Sequence, residues 1–101
     1  MTPGYKLTPE AIQDLEDIWL FIARDNLDGA DALEDSFHDA CLLLAQSPLM
    51  GHTRNDLTKK PVRFWCVKRN YLIVYNPASN PLVVLRVLHG ARNAEILLSD
   101  Q

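Results

Sequence analysis

Four residues in the second half of the chain have side chains that could act on a phosphodiester: Arg63, Arg86, His89 and Arg92. Cleaving RNA through its 2′-hydroxyl needs a base for that hydroxyl, cations for the phosphorane charge and an acid for the leaving oxygen. The arginines suit the cationic role, and His89 is the candidate acid or base. The residues after Arg92 include no Tyr, His, Lys or Arg. The alternative for His89 is a strand-end histidine that bonds to the backbone or faces solvent.

The two arginines in strand-like runs also suit the binding of a partner. Strict alternation along "LVVLRVLH" places Arg86 on the same face as Val84 and Leu88, and opposite to Leu85. We expect helices to cover the other face, which leaves Arg86 on an open face that Arg63 also reaches. A guanidinium pair there would bind a carboxylate or phosphate of a partner. The alternative is an arginine that pairs with a carboxylate of its own chain.

Three further residues complete the predicted partner-binding set. Trp65 and its neighbour Phe64 point to opposite faces of their strand, so one of the two rings must face away from the helices. Aromatic side chains are frequent among interface hot spots. Met50 adds an apolar contact from a loop, and Arg92 adds a charge after the last strand. The predicted set is Arg63, Trp65, Arg86, Arg92 and Met50.

The length and composition of the chain predict one domain that spans residues 1–101. A chain of this size has enough residues for one modest hydrophobic core. No apolar run reaches the roughly 18 residues that cross a bilayer, and the first residues do not resemble a signal peptide, so we expect a cytoplasmic protein. Cys41 and Cys66 lack metal-ligand spacing and are predicted to be reduced, buried thiols. We therefore expect neither a metal nor a cofactor.

Charge is distributed unevenly along the chain. Residues 1–47 hold two basic and ten acidic residues, whereas residues 48–101 hold eight basic and three acidic ones. The net charge of −3 argues against direct, specific DNA binding by this chain alone. The basic second half is where we expect an anionic partner to bind.

The elements that must position these residues follow from capping and periodicity. Thr8 and Pro9 predict a helix start, and apolar spacing continues that helix to about residue 26, with Asp14 on its outer face. A second apolar stripe predicts a helix that ends near Ser47.

Strand-like runs follow a polar loop. They cover residues 62–67, 71–75 and 82–89, and a short edge strand lies near Tyr5. The short separators predict an antiparallel meander. The predicted order is βααβββ with a short helical turn over residues 93–99, an α+β fold with a helical hairpin on one face of a small sheet.

Four stretches in this order together resemble the ParE branch of the RelE/ParE toxin superfamily: "LTPEAIQDLEDIWLFIARDN", "LAQSPLMGHTRNDL", "VRFWCVKRNYLIVY" and "VLRVLHGARN". They span nearly the whole chain. The resemblance implies the toxin of a type II toxin–antitoxin module, which a cognate ParD-like antitoxin neutralises in a hetero-oligomer.

The resemblance also implies a choice of target. ParE-type members inhibit DNA gyrase by binding, whereas RelE-type members share the fold and cleave mRNA on the ribosome. The missing C-terminal acid or base favours gyrase inhibition. Two alternatives stay open: a ribosome-dependent endoribonuclease that uses Arg63, Arg86, His89 and Arg92, and a non-toxic domain that only binds an antitoxin.

Overall fold

A computed structural model describes residues 4–90 as two helices packed on a four-stranded sheet. The elements in chain order are β1 (Tyr5–Leu7), α1 (Pro9–Ala23), α2 (Leu27–Gln46), a 3₁₀ turn (Pro48–Met50), β2 (Arg63–Val67), β3 (Tyr71–Asn76) and β4 (Leu82–His89). This arrangement confirms the predicted α+β fold and the order βααβββ. The predicted helical turn over residues 93–99 lies outside the described residues. Neither helix of residues 4–90 is both long and apolar enough to cross a bilayer.

The sheet has the strand order β1-β4-β3-β2. Two antiparallel pairings join β2 to β3 and β3 to β4, and β1 pairs in parallel with β4. The predicted meander with an added edge strand is therefore confirmed. β1 pairs only with Leu82–Val84, so the second half of β4 needs another neighbour along its outer edge.

Both helices begin at the capping residues that the sequence supplies. The Thr8 side chain accepts a hydrogen bond from the Ala11 N–H at 3.1 Å, and Pro9 occupies the first helical turn. The Asn26 side chain accepts a hydrogen bond from the Gly29 N–H at 2.8 Å, so α2 begins at Leu27, after a short connection from α1. α1 ends at Ala23, three residues before the predicted end at residue 26.

The sheet buries apolar side chains on both faces. The larger cluster joins α2 to the helix-facing side of the sheet through residues that include Phe37, Leu44, Ile73, Tyr75 and Val84. On the opposite side a second cluster forms from Leu57, Val62, Phe64, Val74 and Leu88. Leu57 belongs to the segment that was predicted to be a polar loop, and Val62, predicted to begin the strand, lies just before β2. That segment instead covers the face expected to be open, and Phe64 is the aromatic ring that faces away from the helices.

A β-bulge interrupts the alternation along β4. Val74 pairs with Arg86, whereas the next residue, Tyr75, pairs with Val84. Leu85 is therefore an extra residue on β4, and the side-chain pattern is displaced by one position at this point.

The bulge overturns the predicted assignment of faces. Val84 and Val87 both pack in the helix-facing cluster, while Leu85 and Leu88 pack with the second cluster. Arg86 does share a face with Leu88, as predicted, because they lie two residues apart after the bulge and pair with Val74 and Leu72. The prediction is wrong in placing Val84 on that face, since strict alternation does not allow for an inserted residue, and in expecting the face to be open.

Helix α1 takes the place of a neighbouring strand along the second half of β4. The Thr8 N–H donates to the Val84 carbonyl at 3.1 Å, and the Thr8 hydroxyl donates to the Leu85 carbonyl at 2.7 Å. The Asp14 carboxylate accepts the Val87 N–H at 3.0 Å, and it also accepts two hydrogen bonds from Arg86 at 2.7 and 2.9 Å. Asp14, predicted on the outer face of α1, therefore lies between the helix and the sheet.

The two cysteines differ in their surroundings. Cys41 is buried in the helix-facing cluster, and burial raises the pKa of its thiol to about 12. Cys66 lies exposed on β2, the strand at the other edge of the sheet. The prediction of a buried thiol is confirmed for Cys41 and wrong for Cys66.

The connection between β2 and β3 contains two residues with left-handed backbone. The φ angles are 53° at Lys68 and 69° at Arg69. Crowding of Cβ against the backbone makes this conformation cost about 1–2 kcal/mol for each residue other than glycine. Both side chains are exposed. We call residues 68–70 the basic turn.

A hydrogen-bonded anchor holds the segment after α2 against the sheet. The Tyr75 hydroxyl donates to the Pro48 carbonyl at 2.6 Å and accepts the Gly51 N–H at 2.9 Å. Arg63 donates to the Gly51 carbonyl at 2.7 Å. Burial raises the pKa of Tyr75, although the Gly51 N–H and the Arg63 charge oppose this rise. A Cβ atom on Gly51 would contact the Tyr75 hydroxyl and lie 2.9 Å from the Phe64 carbonyl oxygen.

Replacement of Asp14 by alanine is expected to lower the free energy of unfolding by about 2 kcal/mol, because the variant loses charge-assisted hydrogen bonds and leaves the half-buried Arg86 unpaired. Urea denaturation measures the change. The control is Asp17→Ala on the same helix, where the carboxylate is exposed and bonds to Gln13. Equal losses in the two variants would contradict the role given to Asp14.

Gly51→Ala is expected to lower stability by about 2 kcal/mol, because the added methyl group overlaps a strand carbonyl and the Tyr75 ring. The backbone at Gly51, with φ −70° and ψ 175°, suits alanine, so the effect comes from lack of space alone. Thermal melting measures it as a decrease of about 10 °C in Tm. Gly4→Ala is the control, since nothing lies within 4 Å of its added carbon. A Gly51→Ala variant with wild-type Tm would show that the anchor tolerates this change.

Candidate partner-binding surfaces

The structure brings three of the five predicted partner-binding residues together. Arg63 donates to the carbonyls of Leu49 and Gly51, the residues on either side of Met50. Trp65 lies two positions along β2 from Arg63, and both Trp65 and Met50 pack against the helix-facing cluster. His52 stacks on Trp65 with 6.4 Å between ring centroids. These residues lie at the edge of the sheet formed by β2, and the Arg63 guanidinium holds the loop in place there.

Arg86 lies apart from this group. It belongs to β4, which β3 separates from β2, and its guanidinium pairs with Asp14. Asp14 raises the pKa of Arg86, mainly through the side-chain hydrogen bonds. Of the two readings left open for this arginine, the structure shows the pairing with a carboxylate of its own chain. The fifth residue, Arg92, lies outside the described residues.

The candidate nuclease residues within the described chain are dispersed. Arg63 bonds to loop carbonyls, and Arg86 bonds to helix α1. His89 is exposed at the end of β4, about 10 Å along the strand from Arg86. Its ring stacks on Tyr71 with 4.9 Å between centroids. These three side chains do not converge on a common point where a phosphate would bind.

An apolar groove between α1 and α2 was not predicted. It has a volume of about 640 Å³. Its lining includes Ile12 and Leu20, whose side chains are 51% and 52% exposed. Ile12 belongs to the apolar stripe whose spacing predicts helix α1. The sequence did contain a signal for this groove, namely the width of the apolar surface of α1. Leu20 widens the stripe beyond the residues that pack against the sheet and α2.

The rim of this groove is acidic. Glu16, Glu34 and Asp35 all line it. Trp19, which also lines the groove, donates its indole N–H to Asp31 at 3.1 Å. An apolar floor with carboxylates around it suits an amphipathic segment that carries basic residues beside its apolar ones.

A second, smaller cavity lies beside the basic turn. It has a volume of about 190 Å³, and Asp17, Ile18, Phe21, Tyr71 and His89 line it. Tyr71 begins β3 directly after the turn, and His89 pairs with it across the sheet. Phe21 is 68% exposed at this cavity. We call these five residues the Phe21 cavity.

Comparisons with known proteins identify the family. The family described as ParE toxin of type II toxin–antitoxin system, parDE, matches residues 5–94. A solved structure titled as the chromosomal ParDE toxin–antitoxin system from P. aeruginosa has a similar fold, with a TM-score of 0.71 and 18% sequence identity. The alignment covers 88% of this chain and 97% of that one. No curated protein sequence matches. Because the family match covers most of the chain, this protein belongs to the ParE toxin family of type II toxin–antitoxin systems.

Proposed function

We propose that this ParE-type toxin inhibits DNA gyrase by binding to it in the cytoplasm, and that a cognate ParD-like antitoxin neutralises it in a hetero-oligomer. The observation that carries the proposal is the internal use of the two strand arginines. Arg63 bonds to loop carbonyls through Nη1, and Arg86 pairs with Asp14 through Nε and Nη2, so the fold orients both guanidinium groups and Asp14 balances the charge of Arg86. Apolar surface remains exposed, which favours binding to another protein.

The alternative activity, ribosome-dependent cleavage of mRNA, would require Arg63, Arg86, His89 and Arg92 to meet at one phosphate. The separation of the first three, and the bonds that hold the two arginines, favour gyrase inhibition over this alternative. The remaining alternative is a non-toxic antitoxin-binding domain. It predicts no growth defect when the isolated chain is produced in a bacterium.

Purified chain is expected to reduce the supercoiling of relaxed plasmid by gyrase or to cause linear, protein-linked DNA to accumulate. Gel electrophoresis of the plasmid measures both effects, and addition of the antitoxin should reverse them. The same preparation is tested for mRNA cleavage on ribosomes as the control for target choice. A folded chain that stops growth, leaves gyrase unaffected and cleaves mRNA would overturn the proposal.

The groove between α1 and α2 is the surface that we assign to the antitoxin. Membership of a ParDE system implies an antitoxin partner. The exposed apolar side chains of the groove would contact the apolar face of an antitoxin segment, and its acidic rim would contact basic residues of that segment.

Leu20→Arg is expected to weaken antitoxin binding by about tenfold or more, because it removes an apolar contact and places a positive charge against a basic segment. Isothermal titration calorimetry measures the dissociation constant. The control is Leu49→Arg, which adds the same charge at a 71% exposed leucine that does not line the groove. Unchanged affinity in Leu20→Arg, or equal weakening in the two variants, would show that the antitoxin does not occupy the groove. Gyrase inhibition by Leu20→Arg should match that of the wild type.

A further inference from the structure

The basic turn combines backbone strain with positive charge. Lys68 and Arg69 both adopt φ angles that asparagine and glycine adopt at lower cost, and both are exposed. Neither has an ion-pair partner within residues 4–90. Among residues 4–90 the two long side chains therefore add no ion pair, although their residues adopt an unfavourable backbone conformation. Residues with unfavourable backbone conformations are enriched at functional sites.

The surroundings of the turn add an apolar component. Tyr71, the residue that follows the basic turn, lines the Phe21 cavity. The ring of Phe21 is the most exposed aromatic side chain among the large hydrophobic residues of the helices. Tyr71 and His89 form a stacked pair beside it, with 23° between their ring planes. Two exposed cations next to an open apolar cavity make a surface that complements an acidic segment with an apolar side chain.

We propose that the basic turn and the Phe21 cavity together contact an acidic protein segment of the toxin's target. This inference rests on the proposed function, since the target there is gyrase. Lys68 and Arg69 pair with carboxylates of the target segment, and an apolar side chain of that segment inserts beside Phe21. The surface lies apart from the groove, because the two cavities share only Ile18 among their lining residues.

A protein segment fits this surface better than DNA does. Asp17 lines the Phe21 cavity, so the cavity suits an apolar side chain and disfavours any anionic group, phosphate included. Two cations would neutralise only a short stretch of backbone, whereas DNA-binding proteins make several phosphate contacts. The apolar cavity suits a side chain such as leucine or phenylalanine, which an acidic polypeptide segment can supply.

The test variant is Lys68→Asn with Arg69→Gly, which removes both charges and supplies residues suited to a left-handed turn. Its Tm is expected to rise by about 5 °C, since strain is released. The concentration needed for half-inhibition of gyrase is expected to rise tenfold or more. Antitoxin affinity should stay unchanged, which shows that the variant is folded.

The matched control is Lys59→Asn with Lys60→Gln. It removes two exposed charges from the segment that precedes β2, whereas the basic turn follows that strand. This control should inhibit gyrase as the wild type does. A loss of inhibition in the basic-turn variant would then not be explained by the change in net charge alone. Phe21→Gln tests the apolar half of the surface and should also lose inhibition tenfold or more.

The outcomes separate this inference from the proposed function. Full gyrase inhibition by the basic-turn variant, or an equal loss in the control, would overturn the inference and leave gyrase inhibition standing. A second outcome would also overturn the inference: the wild type binds duplex DNA in the absence of gyrase, and the basic-turn variant does not. The ligand of this surface would then be DNA and not a protein segment. A wild-type chain without any effect on gyrase would contradict the proposed function, and the inference would fail with it.

Discussion

The outer edge of β4 depends on one carboxylate from the helical layer. β1 covers only Leu82–Val84, and beyond that point helix α1 supplies the hydrogen-bonding groups that a strand would otherwise supply. An exposed strand edge is a site for unwanted pairing with other chains. Asp14 closes this edge at Val87, and Arg86 balances its charge. This contact joins α1, which forms one wall of the groove, to the sheet.

The two strand arginines make hydrogen bonds within the fold, and other residues form its exposed surfaces. Arg63 holds the segment after α2, and Arg86 holds helix α1. The exposed surfaces have opposite character, since the groove has an acidic rim and the turn between β2 and β3 is basic. A toxin with two such surfaces would use different chemistry for the partner that restrains it and for the target that it inhibits.

Sequence patterns predicted the elements better than they predicted the contacts between them. Thr8 and Pro9 marked the start of α1, and short separators indicated the hairpins, because capping and turn formation depend on local residues. The bulge at Leu85 was missed, since a run of β-forming residues has the same pattern with or without an inserted residue. The partners of Arg63 were missed because they are backbone carbonyls of a distant loop, for which no residue type gives a signal. The groove was missed because periodicity gives the direction of an apolar stripe but not how much of it neighbours cover.

The contrast between the two cysteines makes the native chain suitable for optical labelling. Cys66 is exposed on the edge strand, whereas Cys41 is buried and the pKa of its thiol is raised. Thiolate is the species that reacts with maleimide dyes. A dye would therefore attach at Cys66 without any substitution, two residues before Lys68 and on the opposite edge of the sheet from β1. A label at this position would report the approach of a partner to one side of the protein.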